Sequence, residues 1–484
     1  MTNRDQLRAI AIRTMRNRGL EPDMPADAIA EAARVAAAPQ TSAEPTRDLR
    51  SLLWCSIDND DSKDLDQLTV AVPLDGDRVR ILVAIADVDV LVTKDSAIDR
   101  HAAVNTTSVY TPAVIFPMLP ERLSTDLTSL ADQQERVSIV IDYLVAADGT
   151  VGESDVYGAR VKNWSKLAYN AVGAWLEGHG PLPPAAASVQ GMDEQLRIQD
   201  RVAQALAVER HRRGALEFAS DDVEHVFEDG TLRDVQPVLP NRAKELIENL
   251  MIGANGVVAR FLDARGFPSL RRVVRSPERW DRIRALAEEF GETLPEAADA
   301  IALAKFLQRR KEAAPDAYAE LSHRVIKMIG SGEYVVDPPG AEPPGHFGLA
   351  VRDYTHSTAP NRRYPDLITQ RLLKATLAGR PSPYPIDELE ALAAHCTVQE
   401  DAANKVERQV RKSAAAMVVQ PLVGRTFDAH VTGASPKGTF VHVFAPPMDG
   451  MLVHGGTGLD VGDRVQVRLA RVDVDRGFID FEAR

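Results

Sequence analysis

The sequence predicts an α+β multidomain protein of three units: a small helical unit with its linker over residues 1–46, a mixed α/β domain over 47–420, and a five-stranded β-barrel over 424–484. Three observations carry this. Apolar residues recur at helical spacing at the start of the chain. The long middle mixes short apolar strands with long amphipathic helices. The end holds five short stretches in which apolar and polar residues alternate, separated by turn residues.

The bounds agree. A chain of 484 residues is long enough for more than one core. A hydrophobic content of 44% is that of a globular protein. No apolar run approaches the ~20 residues of a membrane-spanning helix, so no membrane partner is expected. The start, Met1-Thr2-Asn3-Arg4-Asp5, lacks the apolar core of a signal peptide. Two cysteines, Cys55 and Cys396, make neither a disulfide framework nor a zinc set. A reducing, cytoplasmic setting is the expectation. The net charge of -13 speaks on average against a polyanion binder. An enzyme, however, needs only a local basic channel, and an acidic metal site adds negative charge of its own.

Arg4 to Gly19 reads as a helix, with Leu7, Ile10, Ala11, Met15 and Leu20 at helical spacing. Pro25 to Ala37 reads as a second, with Pro25 suited to its first turn and Ala28, Ile29, Ala32 and Val35 on one side. A helix-turn-helix unit and a plain extension packed on the main domain are both open. Ala38 to Thr46 has the composition of a linker.

The middle domain begins with its most informative stretch, Ser56 to Gln67, which packs five aspartates and one lysine into twelve residues. Leu52-Leu53-Trp54-Cys55 leads in and a strand from Leu68 to Val72 leads out. Asp, Asn and Ser are poor strand and helix formers, so the run is a loop between strands. Crowded carboxylates repel one another. A hard divalent cation such as Mg2+, which takes oxygen ligands, removes that repulsion. Charge runs ordinarily face water, but the apolar flanks argue for a loop set into a core.

A strand from Val79 to Ala86 follows the Asp75-Gly76-Asp77 turn. The prolines between Tyr110 and Pro120 suit a rigid extended connection. Lys162 to Asn170 leads into a helix, where Tyr169 taken alone reads as half-buried. The run Arg210-His211-Arg212-Arg213 suits either phosphate contact or a solvated helix end, and Arg271-Arg272-Val273-Val274-Arg275 adds basic surface. Asn241 to Leu262 is an amphipathic helix with Leu246, Leu250 and Ala254 on one face. The second stretch with chemistry runs from Tyr354 to Asp366. Its Arg362 carries a guanidinium that is always charged. Helices are expected over Leu367–Leu377 and Ile386–Val419, and Glu407 in the second suits an intrahelical ion pair.

The barrel strands are Phe427–Val431, Lys437–Val443, Gly450–His454, Val461–Val467 and Gly477–Phe481. Phe440 reads by itself as core or surface with equal ease.

The acidic loop and the Tyr354–Asp366 stretch together resemble the two signatures of the ribonuclease II (RNB) family of exoribonucleases. Asp58, Asp64 and Asp66 fall on the first three aspartates of one signature. The fourth position is Gln67, whose oxygen can ligate a metal but carries no charge; Asp60 and Asp61 lie in the same loop. Tyr354-Thr355-His356-Ser357-Thr358-Ala359-Pro360-Asn361-Arg362-Arg363-Tyr364-Pro365-Asp366 matches the other, with Tyr364 and Asp366 as helix anchors. Ala84 to Val88, with Asp87 as strand-end cap or site wall, and Tyr110 to Ser124 are also family-like. The end of the chain resembles the S1-type RNA-binding barrel, an OB fold.

The resemblance implies a Mg2+-dependent 3′→5′ exoribonuclease that hydrolyses single-stranded RNA to nucleoside 5′-monophosphates, in RNA decay or processing and within reach of an RNA-degradation complex. One or two Mg2+ ions are implied, with Mn2+ as substitute. Asp58, Asp64, Asp66 and Gln67 would hold them. Asp64, Asp66, Arg362 and Glu407 would be catalytic, Arg362 holding the scissile phosphate. Tyr169 would stack on a base near the 3′ end, an interaction worth ~1–3 kcal/mol; a second stacking ring is implied but not placed. Phe440, His442 and His454 would meet RNA on the barrel, and Lys437, where an aromatic is common, would contact phosphate. The family usually carries cold-shock-type barrels at its N-terminus, where this sequence has its helical unit. The alternative is a catalytically impaired RNA-binding protein on the same scaffold, motivated by Gln67.

Overall fold

The centre of the middle domain is a seven-stranded sheet. The computed structural model describes residues 2–37, 46–219, 223–342, 345–435, 438–444, 447–460 and 462–484. In spatial order the strands are Arg47–Asp48, Val151–Lys162, Glu135–Val145, Val79–Ala86, Gln67–Pro73, Cys55–Asp58 and Ser165–Ala168. Neighbours are antiparallel except at the two edges. Val79–Ala86 is buried along nearly its whole length because it lies mid-sheet with both faces covered. Its partner Gln67–Pro73 is the strand expected after the acidic loop, with Leu68 opposite Ala84.

Helix Arg242–Asp263 covers one face of this sheet, burying the expected Leu246, Leu250 and Ala254. Asn241 starts it by accepting the Ala243 and Lys244 N–H groups. The Tyr143 hydroxyl, buried in the sheet, donates to the Leu250 carbonyl at 2.9 Å.

Helix Tyr364–Leu377 has Pro365 in its first turn and is buried from Tyr364 to Ala375. Such burial of charge is tolerable only with partners. Arg371 reaches Asp89 at 2.9 Å and Asp99 at 2.8 Å. Lys374 reaches Asp87 and Asp89, each at 3.0 Å. Asp87 therefore tethers the end of a central strand to this helix, the structural one of its two readings.

The long helix Ile386–Val419 has the expected bounds. Helix Asn3–Asn17 packs on it through Leu7, Ile10, Ala11 and Met15. Helix Ala26–Ala36 packs elsewhere, on Ala97–Asn105. The two N-terminal helices dock at separate places on the middle domain, as a plain extension does. Helices Trp280–Glu289, Ala300–Ala313 and Tyr318–Ile329 form a satellite with a core around Trp280, Phe306 and Leu321.

The expected basic surface over residues 271–275 is reduced to Arg275, whose side chain is 65% exposed. Arg271 is 1% exposed and paired with Asp337, Arg272 pairs with Glu400 and Arg275 with Glu333. Sequence shows the cations but not the distant carboxylates that neutralise them.

The terminal barrel closes through Thr426–Ser435, Gly438–Phe444, Pro447–His454, Phe478–Ala483 and Arg464–Asp473, in that spatial order. Val441 and Val443 point inward; Phe440, alternating with them, is 43% exposed. His442 is half-buried, its Nδ1 2.9 Å from Asp449 Oδ1, and His454 is exposed. Lys437 lies outside the described residues. Apolar residues of the barrel, the long helix and the first helix share one core, so the barrel is seated on the body.

Candidate active site

The acidic loop is set into the core. Strand Cys55–Asp58 delivers Asp58 to the loop, and strand Gln67–Pro73 receives the chain afterwards. The Ser129 hydroxyl donates to the Lys63 carbonyl at 2.7 Å and accepts the Leu65 N–H at 3.1 Å. Lys166 Nζ donates to the Ser62 carbonyl at 2.6 Å, and Ser62 Oγ donates to Asp58 Oδ1 at 2.8 Å. Leu65 and Asp66 are each 2% exposed.

Asp66 joins the two signature stretches. Its Oδ1 accepts the Asn361 N–H at 3.0 Å, from 295 residues away. Its Oδ2 lies 3.5 Å from Arg362 Nε. Burial pushes the Asp66 carboxyl up to about 7, although Arg362 and the Asn361 N–H favour its charged form. Asp64 is also raised, by burial first and then by the neighbouring Asp58 charge. The turn bearing Arg362 is locked from below. Asp366, fully buried, accepts the Ala359 N–H and the Arg363 guanidinium, both at 2.8 Å. Arg362 itself keeps 46% of its side chain open.

These groups face a cleft of about 460 Å³. Asp58, Asp64 and Gln67 line one wall, Arg362 and Arg363 another, and Lys244 and Glu248 come from the helix across the sheet. Asp66 stands behind this lining. Asp60 and Asp61 are exposed and outside it, so they do not stand in for the charge missing at Gln67.

Three tyrosines, Tyr110, Tyr169 and Tyr354, line the cleft. Tyr169 begins helix Tyr169–Leu176, half-buried, with Lys244 Nζ 5.8 Å from its ring centre. Burial, then the Asp58 charge, pushes its hydroxyl above the ordinary range. Tyr110, 38% exposed, is the ring that sequence reasoning missed. Burial pushes its hydroxyl up to about 12 against the pull of Arg362. A tyrosine before a proline-rich connection was the available signal, and it reads equally well as scaffold. The Tyr110 N–H donates to Glu407 Oε1 at 2.9 Å. Glu407 thus braces a cleft strand while feeling the charge of Arg411 one turn along its own helix, and it does not line the cleft. Phe440, His442 and His454 stand apart on the barrel.

Among the described residues no three His, Cys, Asp or Glu side chains converge as a ready-made metal cage. The donor set nonetheless suits Mg2+, which is commonly held by one or two carboxylates, with waters and substrate phosphate completing its shell. Asp58 and Asp64 would supply those carboxylates and Gln67 a neutral oxygen. Burial is the first cause of the Asp64 rise and the Asp58 charge adds to it; a cation there would relieve that added repulsion.

The family model described as "RNB domain" matches residues 46–379, and the one described as "RNase II-type exonuclease C-terminal S1 domain" matches 425–484. Ribonuclease R of Escherichia coli (strain K12) is 30% identical over 475 residues, covering 90% of this chain and 57% of that protein. The chain thus spans a little over half the length of the first curated relatives it matches. Mycoplasma genitalium RNase R in complex with ribose methylated single-stranded RNA superposes with a TM-score of 0.87 at 22% identity, over 99% of this chain and 78% of that one. Yeast Ssd1, described as a pseudonuclease, superposes with a TM-score of 0.68 at 17% identity, over 90% of this chain and 53% of that one. At such identities both likenesses speak for the fold.

Proposed function

The chain belongs to the RNB-domain family, and from that premise we propose that it is a 3′→5′ exoribonuclease that hydrolyses single-stranded RNA to nucleoside 5′-monophosphates. The observation that carries the reading is Arg362 held 3.5 Å from buried Asp66 at the rim of a cleft lined by the Tyr110 and Tyr169 rings and the Asp58 and Asp64 carboxylates, among others.

Each residue has work that follows from its place. Tyr110 and Tyr169 present rings to the terminal bases, and a ring holds any base by its face. Arg362 grips the scissile phosphate and stabilises the charge that builds when water adds to phosphorus and the P–O3′ bond breaks. Asp66 aims Arg362, and Glu407 steadies Tyr110 from behind. Asp58, Asp64 and Gln67 would hold Mg2+, as one ion or two, with Mn2+ as substitute. When bound, the metal supplies Lewis-acid activation and charge neutralisation. On the barrel, Phe440, His442, His454 and Lys437 raise the local concentration of RNA. The setting we propose is cytoplasmic RNA decay or processing, in company with other degradation factors. No helix among the described residues is long and apolar enough to cross a membrane.

The second reading is a binder that does not cut. Gln67 favours it, and the likeness to a pseudonuclease shows that the fold alone does not decide. The test is a 5′-labelled single-stranded RNA followed over time with and without Mg2+, beside the same RNA with a blocked 3′ end. Metal-dependent shortening from a free 3′ end supports the nuclease. Intact RNA that shifts on a native gel supports the binder, with Gln67→Asp as the next variant.

A further inference from the structure

A lysine outside the acidic loop reaches into it. Lys166 lies on the edge strand Ser165–Ala168, whose backbone pairs in parallel with Cys55–Asp58, Lys166 opposite Ser56. Its N–H donates to Asp132 Oδ1 at 3.1 Å, which fixes the strand on its other side. Its Nζ crosses to the tip of the acidic loop and donates to the Ser62 carbonyl at 2.6 Å. Ser62 then passes the restraint on, its hydroxyl donating to Asp58 Oδ1 at 2.8 Å. The Asn59 N–H donates to the same oxygen at 2.7 Å. One oxygen of Asp58 therefore takes two donors, and Asp58 is among the residues that line the cleft.

We propose that Lys166, acting through Ser62, is a positioning residue that orients Asp58 and thereby strengthens cation binding by the acidic loop. The inference rests on the metal reading above and goes beyond it, since it assigns to a strand residue the task of preforming the site. Four other aspartates crowd the segment, and unrestrained carboxylates would swing apart. A charged amine on a backbone carbonyl holds the loop closed without occupying a carboxylate oxygen. Partners of metal ligands act in this way elsewhere, and their removal typically weakens metal binding ~10–100-fold.

The sign of the effect separates this role from a bare charge effect. An amine that only repelled an incoming cation would, on removal, tighten metal binding. An amine that orients Asp58 would, on removal, loosen it.

The experiment titrates the full chain with Mn2+ in the absence of RNA, following free Mn2+ by electron paramagnetic resonance. Lys166→Met and Ser62→Ala should each raise the dissociation constant about 10-fold. The double variant should match either single one, because both break the same chain of contacts. Lys166→Arg should recover most of the affinity. Ser62→Ala removes only a hydroxyl from a loop, so it remains informative if Lys166→Met folds poorly. Unchanged or tighter Mn2+ binding in Ser62→Ala and Lys166→Met, in a wild-type background whose binding is lost with Asp58→Asn, overturns this inference alone. A wild-type chain without Asp58-dependent Mn2+ binding overturns the metal reading and this inference with it.

Discussion

Arg362 Nε stands 3.5 Å from Asp66 Oδ2, and Asn361, the residue before it, places its N–H 3.0 Å from the other oxygen of the same carboxylate. Asp66 is thus the joint between the two stretches that carry the chemistry, and it is 2% exposed. Asp66→Asn keeps an acceptor for the Asn361 N–H and removes the charge opposite Arg362. Hydrolysis should fall at least ~10²-fold, the scale of losing one preorganised electrostatic contact. Affinity for single-stranded RNA should stay within about twofold, because the rings and the barrel are untouched. Time courses and filter binding on the same preparation check this. Parallel loss of binding would assign Asp66 to folding.

Tyr110 gives a second prediction. If its ring stacks on a base, Tyr110→Ala should weaken binding of a short RNA by ~1–3 kcal/mol, whereas Tyr110→Phe should stay near wild type. Glu407→Gln should produce a milder version of the alanine defect, since an amide oxygen can still accept the Tyr110 N–H. Equal loss in the Phe and Ala variants would show that the hydroxyl, not the ring face, does the work.

The acidic loop was legible because it concentrates one residue type whose chemistry is unusual in a core, and the Tyr354–Asp366 stretch because it resembles a family signature. The helix expected over Ile386–Val419 has those bounds in the structure. Tyr110 was not legible, because its role depends on a cleft assembled from several distant segments and on a brace from Glu407, 297 residues away. Arg271 misled for the same reason: its partner Asp337 lies 66 residues downstream. Local pattern reports what a segment prefers, whereas pairing of buried charge is settled only when the chain closes.

Lys374 offers a test of that pairing. It binds Asp87 and Asp89 beneath the signature helix. Lys374→Met takes the ammonium away from buried Asp87, while Asp89 keeps Arg371, and should destabilise the fold by ~3 kcal/mol. Asp87→Asn should cost less, because Asp89 continues to hold the ammonium. Urea unfolding of the three proteins distinguishes them. A wild-type midpoint for Lys374→Met would mean that the network is wetter than its geometry indicates.

The last prediction concerns pH. His346 accepts the Leu349 N–H on Nδ1 at 3.1 Å, a contact that only an unprotonated Nδ1 can make. Burial, helped by the Arg272 charge, lowers its pKa to about 4. In the unfolded chain the value is near 6.5. Above that, neither state binds the proton and the residue is neutral toward stability. As pH falls below it, the unfolded chain takes up a proton that the folded one refuses, so stability is lost on acidification from about 6.5 toward 4. Asp66, raised to about 7, acts with the opposite sign, its contribution being lost as pH rises. The wild-type profile is a sum of such effects, so the informative quantity is a difference. His346→Asn keeps an acceptor near the Nδ1 position and does not titrate. Relative to that variant, the wild type should lose about 1 kcal/mol per pH unit between pH 6 and 5, and nothing between pH 8 and 7. Urea unfolding of both proteins at these four values decides it: parallel curves throughout would mean that His346 protonates as freely in the fold as in the open chain.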